Sequence, residues 1–231
     1  MFSLTPDEWT AVELSLRIAF VATLVALPFG LAIAWVLARK EFWGKALLDG
    51  IVHLPLVLPP VVTGYLLLVT FGRRGLVGSF LADIGIVFSF RWTGAALACG
   101  VMGFPLLVRA IRLAMEAVDP RLEQAARTLG ASRTRVFFTI TLPLSASGLI
   151  TGALLSFARA LGEFGATITF VSNIPGETRT LPLAIYTFTQ VPGGDAEALR
   201  LSIFSIVLSL AALALSEWLV RKRAPPESRH A

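Results

Sequence analysis

The chain has 231 residues, 55% of them hydrophobic and 15% charged, with a net charge of +5 and a mean hydropathy of +0.76. Soluble domains carry roughly 25% charged residues, so this composition leaves too little polar surface to cover a water-soluble globule; the length fits one domain, residues 1–231, here a bundle in lipid. The positive charge is no nucleic-acid footprint, because the basic residues cluster beside apolar stretches. A single cysteine, Cys99, excludes an intramolecular disulfide, and His53 and His230 have no ligand partners near them in sequence to make a metal site.

The residues before the first apolar stretch include Asp7, Glu8 and Glu13. A cleavable signal needs a basic region there, so none is expected. A membrane helix needs about 20 apolar residues. Five stretches meet or approach that length: Ile18–Leu37, Ile51–Gly72, Trp92–Val108, about Leu142 to Val171, and Leu201–Val220. Two shorter apolar stretches, Val77–Phe90 and Leu181–Val191, read as interfacial or re-entrant pieces. The expected fold is therefore an all-α integral membrane bundle of about five transmembrane helices, six if Val77–Phe90 also crosses. With five spans, 13 of the 20 basic residues fall on one side of the membrane. That side is the cytoplasm, which puts the N-terminus outside and the C-terminus inside. Arg73, Arg74 and Arg91 are exceptions on the outer side. No repeat of 20–50 residues and no inverted repeat is visible.

Within the second stretch, Pro55, Pro59 and Pro60 each remove a backbone donor, so the helix must kink or break. Pro59 and Pro60 then fit either a packed kink or a gate beside a pathway. The fourth stretch carries Arg159 and Glu163, four residues apart and so on one face of a continuous helix. Charges at that depth face a bundle interior or an aqueous cavity. They read as a mutual ion pair that locks the helix, or as an arginine facing the path of an anion with the glutamate holding its geometry. Thr167 and Thr169 follow and could line an outer vestibule.

Between the third and fourth stretches lies a polar loop, residues 119–143. Asp119 can cap a new helix and Pro120 suits its first position. Leu122, Ala125, Ala126 and Leu129 recur at i, i+3, i+4 and i+7, giving one small apolar face. Gly130 permits the left-handed turn that ends a helix. The spacing predicts an amphipathic helix Pro120–Leu129, surrounded by Arg121, Arg127, Arg133 and Arg135. Local chemistry fits both a helix lying on anionic membrane lipid and a helix that docks on another protein.

Ala125, Ala126, Gly130, Ile140, Leu142 and Pro143 fall at the places of the EAA loop of ABC importer permeases, which this segment resembles. The consensus glutamate position holds Gln124, and Glu123 stands one residue earlier. Arg159–Thr167 (RALGEFGAT) is similar to the sulfate, molybdate and tungstate branch of these permeases. Phe170–Tyr186 and Leu54–Tyr65 resemble the molybdate group, and the similarity runs from the first span to Trp218. The resemblance implies a type I ABC importer permease-like bundle that pairs with a second copy as a homodimer in the bacterial inner membrane. It implies an ATPase-coupling helix bearing Leu122, Glu123, Gln124, Ala125, Ala126, Leu129 and Gly130, docked on one of two ATP-binding subunits. It further implies a periplasmic or extracytoplasmic molybdate-binding protein that delivers the oxyanion, with sulfate or tungstate as the alternative cargo. No cofactor is implied. The sequence has no GxxxxGKS/T phosphate loop, and it has no HExxH, GxSxG or pair of intramembrane aspartates, so it is expected to be non-catalytic.

Overall fold

The structure, a computed structural model, describes residues 4–223; the tail 224–231, with Arg229 and His230, lies outside the described residues, as do the side chains of Leu213 and of residues 215–223. The tail charges Arg221, Lys222, Arg223 and Arg229, counted among the basic residues of the cytoplasmic side, therefore have no side-chain description. Twelve α-helices follow one another along the chain, and no strand occurs among the described residues.

Helix α1 (Pro6–Arg39) has 34 residues, about 51 Å of axis and so longer than a bilayer core. It begins twelve residues before the apolar stretch because Thr5 and Glu8 form a reciprocal capping box with Pro6 at the first position. The buried Glu8 carboxylate also holds Arg200 at 2.6 Å, which ties this extension to the last helix.

Helices α2 (Lys45–Val57) and α3 (Pro60–Phe71) meet at a 116° bend. The residue before a proline is pushed to extended backbone. Leu58 and Pro59 each precede one, and both are extended, with ψ of 142° and 134°. The second stretch is thus a broken crossing. Its first half is held beside the end of α5 (Trp92–Glu116) by Asp49 and Arg112 at 3.0 Å, and its second half reaches the other end of α5, where Phe71 packs edge-on against Phe88. Before α5, the short α4 (Gly78–Asp83) has six residues and cannot cross, so Val77–Phe90 is not a sixth span.

After α5 come α6 (Pro120–Thr128), α7 (Arg133–Val136), a π-helical turn Phe137–Thr141, α8 (Leu142–Leu144), α9 (Ala146–Leu161) and α10 (Gly165–Val171). The expectation of one continuous helix from Leu142 to Val171 is corrected here. Ser145 turns its hydroxyl back onto the Thr141 carbonyl at 2.7 Å, and the chain bends by 68°. A second break follows Leu161, where the Glu163 carboxylate accepts the Ala166 N–H at 2.7 Å and starts α10 afresh. Arg159 and Glu163 therefore do not share one helix, and a straight-helix depth for Glu163 does not apply.

The broken segment runs antiparallel to α5. Gly152 lies against Leu107, Gly103 against Ser156, and the Cys99 thiol donates to the Ala160 carbonyl. Helix α11 (Leu181–Thr189) is too short to cross and packs on the start of α1; α12 (Asp195–Arg223) has 29 residues, about 43 Å of axis. Two helices, α1 and α5, are long and apolar enough to cross alone, and the two bent pairs make four. Among the described residues, α12 is the remaining helix of bilayer-spanning length.

Three buried clusters hold this arrangement. One joins α1, α3, α5, α9 and α10 around Phe170, Met102 and Ile18. A second joins α1, α2 and α5 around Leu107, Ile111 and Leu37 near the α6 end. The third fastens α11 and α12 to the first turns of α1. Leu24, Phe29, Leu47, Ile206 and Val207 are exposed, as lipid-facing or partner-facing side chains are.

Candidate functional site

Two places in the fold concentrate chemistry that packing alone does not explain. The first is the loop 119–143. Asp119 accepts the Arg121 N–H at 2.9 Å and caps α6, and Gly130 takes a φ of +87°, a conformation that side chains with a Cβ adopt only at a cost. The helix ends at Thr128 with Leu129 as its cap, one residue short of the expected Pro120–Leu129. No residue of α6 is buried. Leu122 is 48% exposed and Leu129 89%, while Gln124 and Ala125 are exposed and Ala126 is half-buried. An apolar face is thus presented to the surroundings by a helix that is otherwise strongly polar.

Glu123 behaves differently from its neighbours. Its carboxylate turns inward, where Oε1 accepts from Arg39 Nε at 3.0 Å and from the Thr141 hydroxyl at 2.8 Å. Arg39 Nη2 completes the ion pair at 2.8 Å and also donates to the Val118 carbonyl. One carboxylate therefore ties α6 to the end of α1 and to the π-helical turn that leads into α9. Arg39 and Thr141 were not singled out from sequence; Arg39 counted only as a topological charge, and no local pattern links it to a residue 84 positions away.

The second place is where two chain breaks touch. The Pro59–Pro60 break between α2 and α3 lies against the Gly162–Gly165 break between α9 and α10. A Cβ on Gly165 would stand 2.7 Å from the Pro60 Cβ, and one on Gly64 would stand 2.6 Å from the Ala166 carbonyl oxygen and 2.9 Å from the Thr169 Cβ. Only glycine allows that approach. Beside this seam Glu163 is fully buried, with Oε2 paired to Arg159 Nη1 at 2.6 Å and Oε1 capping α10. The Arg159 side chain keeps 27% of its surface open. Buried carboxylates persist when both oxygens have partners, and this one does. Thr167 is fully buried and donates to the Phe164 carbonyl at 2.8 Å, so it lies behind the surface in this conformation; Thr169 is half-buried and donates to the Gly165 carbonyl at 2.8 Å. Pro59 and Pro60 are exposed. The structure thus brings Pro60, Arg159, Glu163 and Thr169 to one seam.

Neither place holds a set of nucleophile, base and oxyanion donors. What the arrangement can do is mechanical and electrostatic: a rigid external lever at one end, and a half-open guanidinium at a break where backbone leaves helical form. Irregular backbone at membrane depth is tolerated where protein buries it or water reaches it.

Comparison with known proteins identifies the family and the fold. Residues 26–225 match the family model described as binding-protein-dependent transport system inner membrane component. The molybdenum transport system permease protein ModB of Escherichia coli (strain K12) is 65% identical over 219 residues, 94% of this chain and 96% of that protein. The sulfate transport system permease protein CysT of Salmonella typhimurium (strain LT2) is 38% identical over 210 residues, 91% of this chain and 75% of that one. Among solved structures, inward facing conformations of the MetNI methionine ABC transporter superpose with a TM-score of 0.73 at 15% identity, covering 96% of this chain and all of that one. At that identity the superposition speaks for the fold, a type I importer permease bundle. This chain belongs to the binding-protein-dependent transport system inner membrane components, multi-pass permeases, and within them it groups with the ModB relatives.

Proposed function

We propose that this chain is the membrane subunit of an ATP-driven importer that moves molybdate across the inner membrane. The observation that carries the coupling is the exposed apolar face of α6, fixed to the bundle through Glu123. Two copies form the pathway, and each α6 seats on a separate ATP-binding subunit that supplies the hydrolysis; the permease itself performs no chemistry. An extracytoplasmic binding protein delivers the oxyanion to the opposite end. The α6 end carries Arg39, Lys40, Lys45, Arg112, Arg121, Arg127, Arg133 and Arg135, and positive residues stay on the cytoplasmic side. The N-terminus is then outside and the C-terminus inside.

Motion of the ATPase reaches α6 through Leu122, Gln124, Ala125, Ala126, Leu129 and Gly130. It passes inward along two routes that Glu123 joins, one into α1 through Arg39 and one into α9 through Thr141. The seam of Pro59, Pro60 and Gly165 is where such motion reaches two helices already broken and free to pivot. Arg159 faces the oxyanion path there. Its charge is partly balanced by Glu163, so it attracts a dianion without retaining it, as a conducting site must. Thr169 lines the same seam, and Thr167 joins the lining only if α10 turns.

Molybdate is favoured over sulfate because identity to the molybdenum permease is 65% against 38% for the sulfate permease. The test is uptake of labelled molybdate into vesicles holding this chain, its ATPase and its binding protein, with sulfate and tungstate as competitors. ATP-dependent accumulation that excess sulfate leaves intact is the expected result. Accumulation of sulfate at an equal rate, or none without added ion gradients, overturns the reading.

A further inference from the structure

A cavity of about 250 Å³ lies at the α6 end, between the end of α1, the inward side of α6 and the π-helical turn. Arg39, Lys40, Arg127 and Arg133 line it, with Glu123 as its one carboxylate. That carboxylate is engaged by Arg39 and Thr141. Among the described residues, Lys40, Arg127 and Arg133 have no carboxylate within ion-pairing distance. Three cations thus line a concave space whose one carboxylate is already engaged by Arg39 and Thr141, which leaves the space with net positive charge and open to an anion.

The remaining walls are Trp35, Phe137, Val136 and Thr141. Trp35 and Phe137 pack edge-on at 6.0 Å, and the Lys40 ammonium stands 5.2 Å from the Trp35 ring. Next to the cavity, Phe42, Trp43 and Phe138 are 41%, 101% and 60% exposed. Tryptophan gathers at the depth of lipid headgroups; Trp43, fully exposed, and Trp35 in the cavity wall place the mouth of the cavity at that depth, with Phe42 and Phe138 as apolar neighbours. Basic pockets between helices on the cytoplasmic side accept acidic headgroups. The apolar face of α6 centres on Leu122, and Glu123 and Arg127 lie about 100–140° round the helix from it at 3.6 residues per turn. A protein seated on Leu122 and Leu129 therefore leaves the cavity side free.

We infer that this cavity is a binding site for the phosphate of an anionic membrane lipid, wedged at the root of the coupling helix. The lipid phosphate meets Lys40, Arg127 and Arg133, and the rest of its headgroup lies against the wall formed by the Trp35 and Phe137 rings. Bound there, it braces α6 against α1 beside the Glu123–Arg39 tether. The inference depends on membrane insertion of the chain and is independent of which oxyanion is carried.

The test uses the full-length chain in phosphatidylcholine nanodiscs, with and without phosphatidylglycerol, read by native mass spectrometry of retained lipid and by melting temperature. Phosphatidylglycerol is expected to stay bound and to raise the melting temperature. Arg127→Gln with Arg133→Gln lowers retention roughly fivefold per removed cation, and Lys40→Gln does the same alone. Arg73→Gln with Arg74→Gln, at the opposite end, leaves retention unchanged. Equal retention in the Arg127, Arg133 and Lys40 variants overturns the site. If inorganic phosphate in phosphatidylcholine nanodiscs raises the melting temperature as much as phosphatidylglycerol does, the site takes a dissolved anion and the lipid assignment fails.

Discussion

Replacing Glu123 by Gln interrogates the tether between α6 and the bundle, and with it the proposed coupling. The carboxylate takes Arg39 Nε at 3.0 Å, Arg39 Nη2 at 2.8 Å and the Thr141 hydroxyl at 2.8 Å, with the two charged side chains only 16% and 20% exposed. The amide keeps an acceptor for Thr141 and removes the charge facing Arg39. A hydrogen bond to a charged group contributes about 1.5–3 kcal/mol, whereas a solvent-screened ion pair contributes about 0–1 kcal/mol. A mostly buried pair near the surface falls between, at about 1.5 kcal/mol, which is roughly a tenfold change in the population of the docked helix. The assay is the ratio of molybdate taken up to ATP hydrolysed in proteoliposomes, for Glu123→Gln, Arg39→Gln and the double variant. Each single change is expected to lower the ratio about tenfold, and the double variant to be no worse than either, because both remove the same interaction. If the two losses multiply in the double variant, the side chains act independently and the tether is not the route of coupling.

Three further outcomes follow from the geometry. Gly130→Val places a β-branched residue at a φ of +87°, a strain of about 1–3 kcal/mol, and is expected to uncouple ATP hydrolysis from uptake or to block assembly; normal uptake would count against the docking geometry. Leu129→Asp, at a side chain 89% exposed, should leave the melting temperature of the permease within about 2 °C, since exposed substitutions change stability by less than roughly 0.5 kcal/mol, while co-purification of the ATPase is lost; retained co-purification excludes this face as the contact. Arg159→Ala strands the buried Glu163 carboxylate, at a cost of about 3–5 kcal/mol, and should reduce the yield of folded protein. Arg159→Met with Glu163→Gln should restore yield without restoring uptake, and recovered uptake would make the pair structural rather than part of the path.

Much of this protein is written in local chemistry. Pro59 and Pro60 announce a broken crossing because a ring at φ near −65° cannot donate to a helix, and the break stands where they do. Asp119, Pro120 and Gly130 delimit α6 because caps and left-handed turns depend on a few adjacent residues. The start of α1 is also local, in the Thr5 and Glu8 capping box, although it lies twelve residues before the apolar stretch that begins at Ile18.

Other features depend on residues that sequence does not place side by side. The break after Leu161 was hidden, because Glu163 reads as the second member of an i, i+4 pair until its carboxylate is seen capping Ala166. That Glu163 break meets the Pro60 break only because Gly64 and Gly165 let two backbones touch across a hundred residues of chain. Composition, the broken second crossing and the bounds of α6 were thus determined by sequence alone, since proline breaks and helix capping are set by neighbours along the chain. The inward turn of Glu123 onto Arg39, the seam of two breaks and the basic cavity behind α6 were decided by tertiary structure, because each requires side chains from distant helices to compete for the same few ångströms of space.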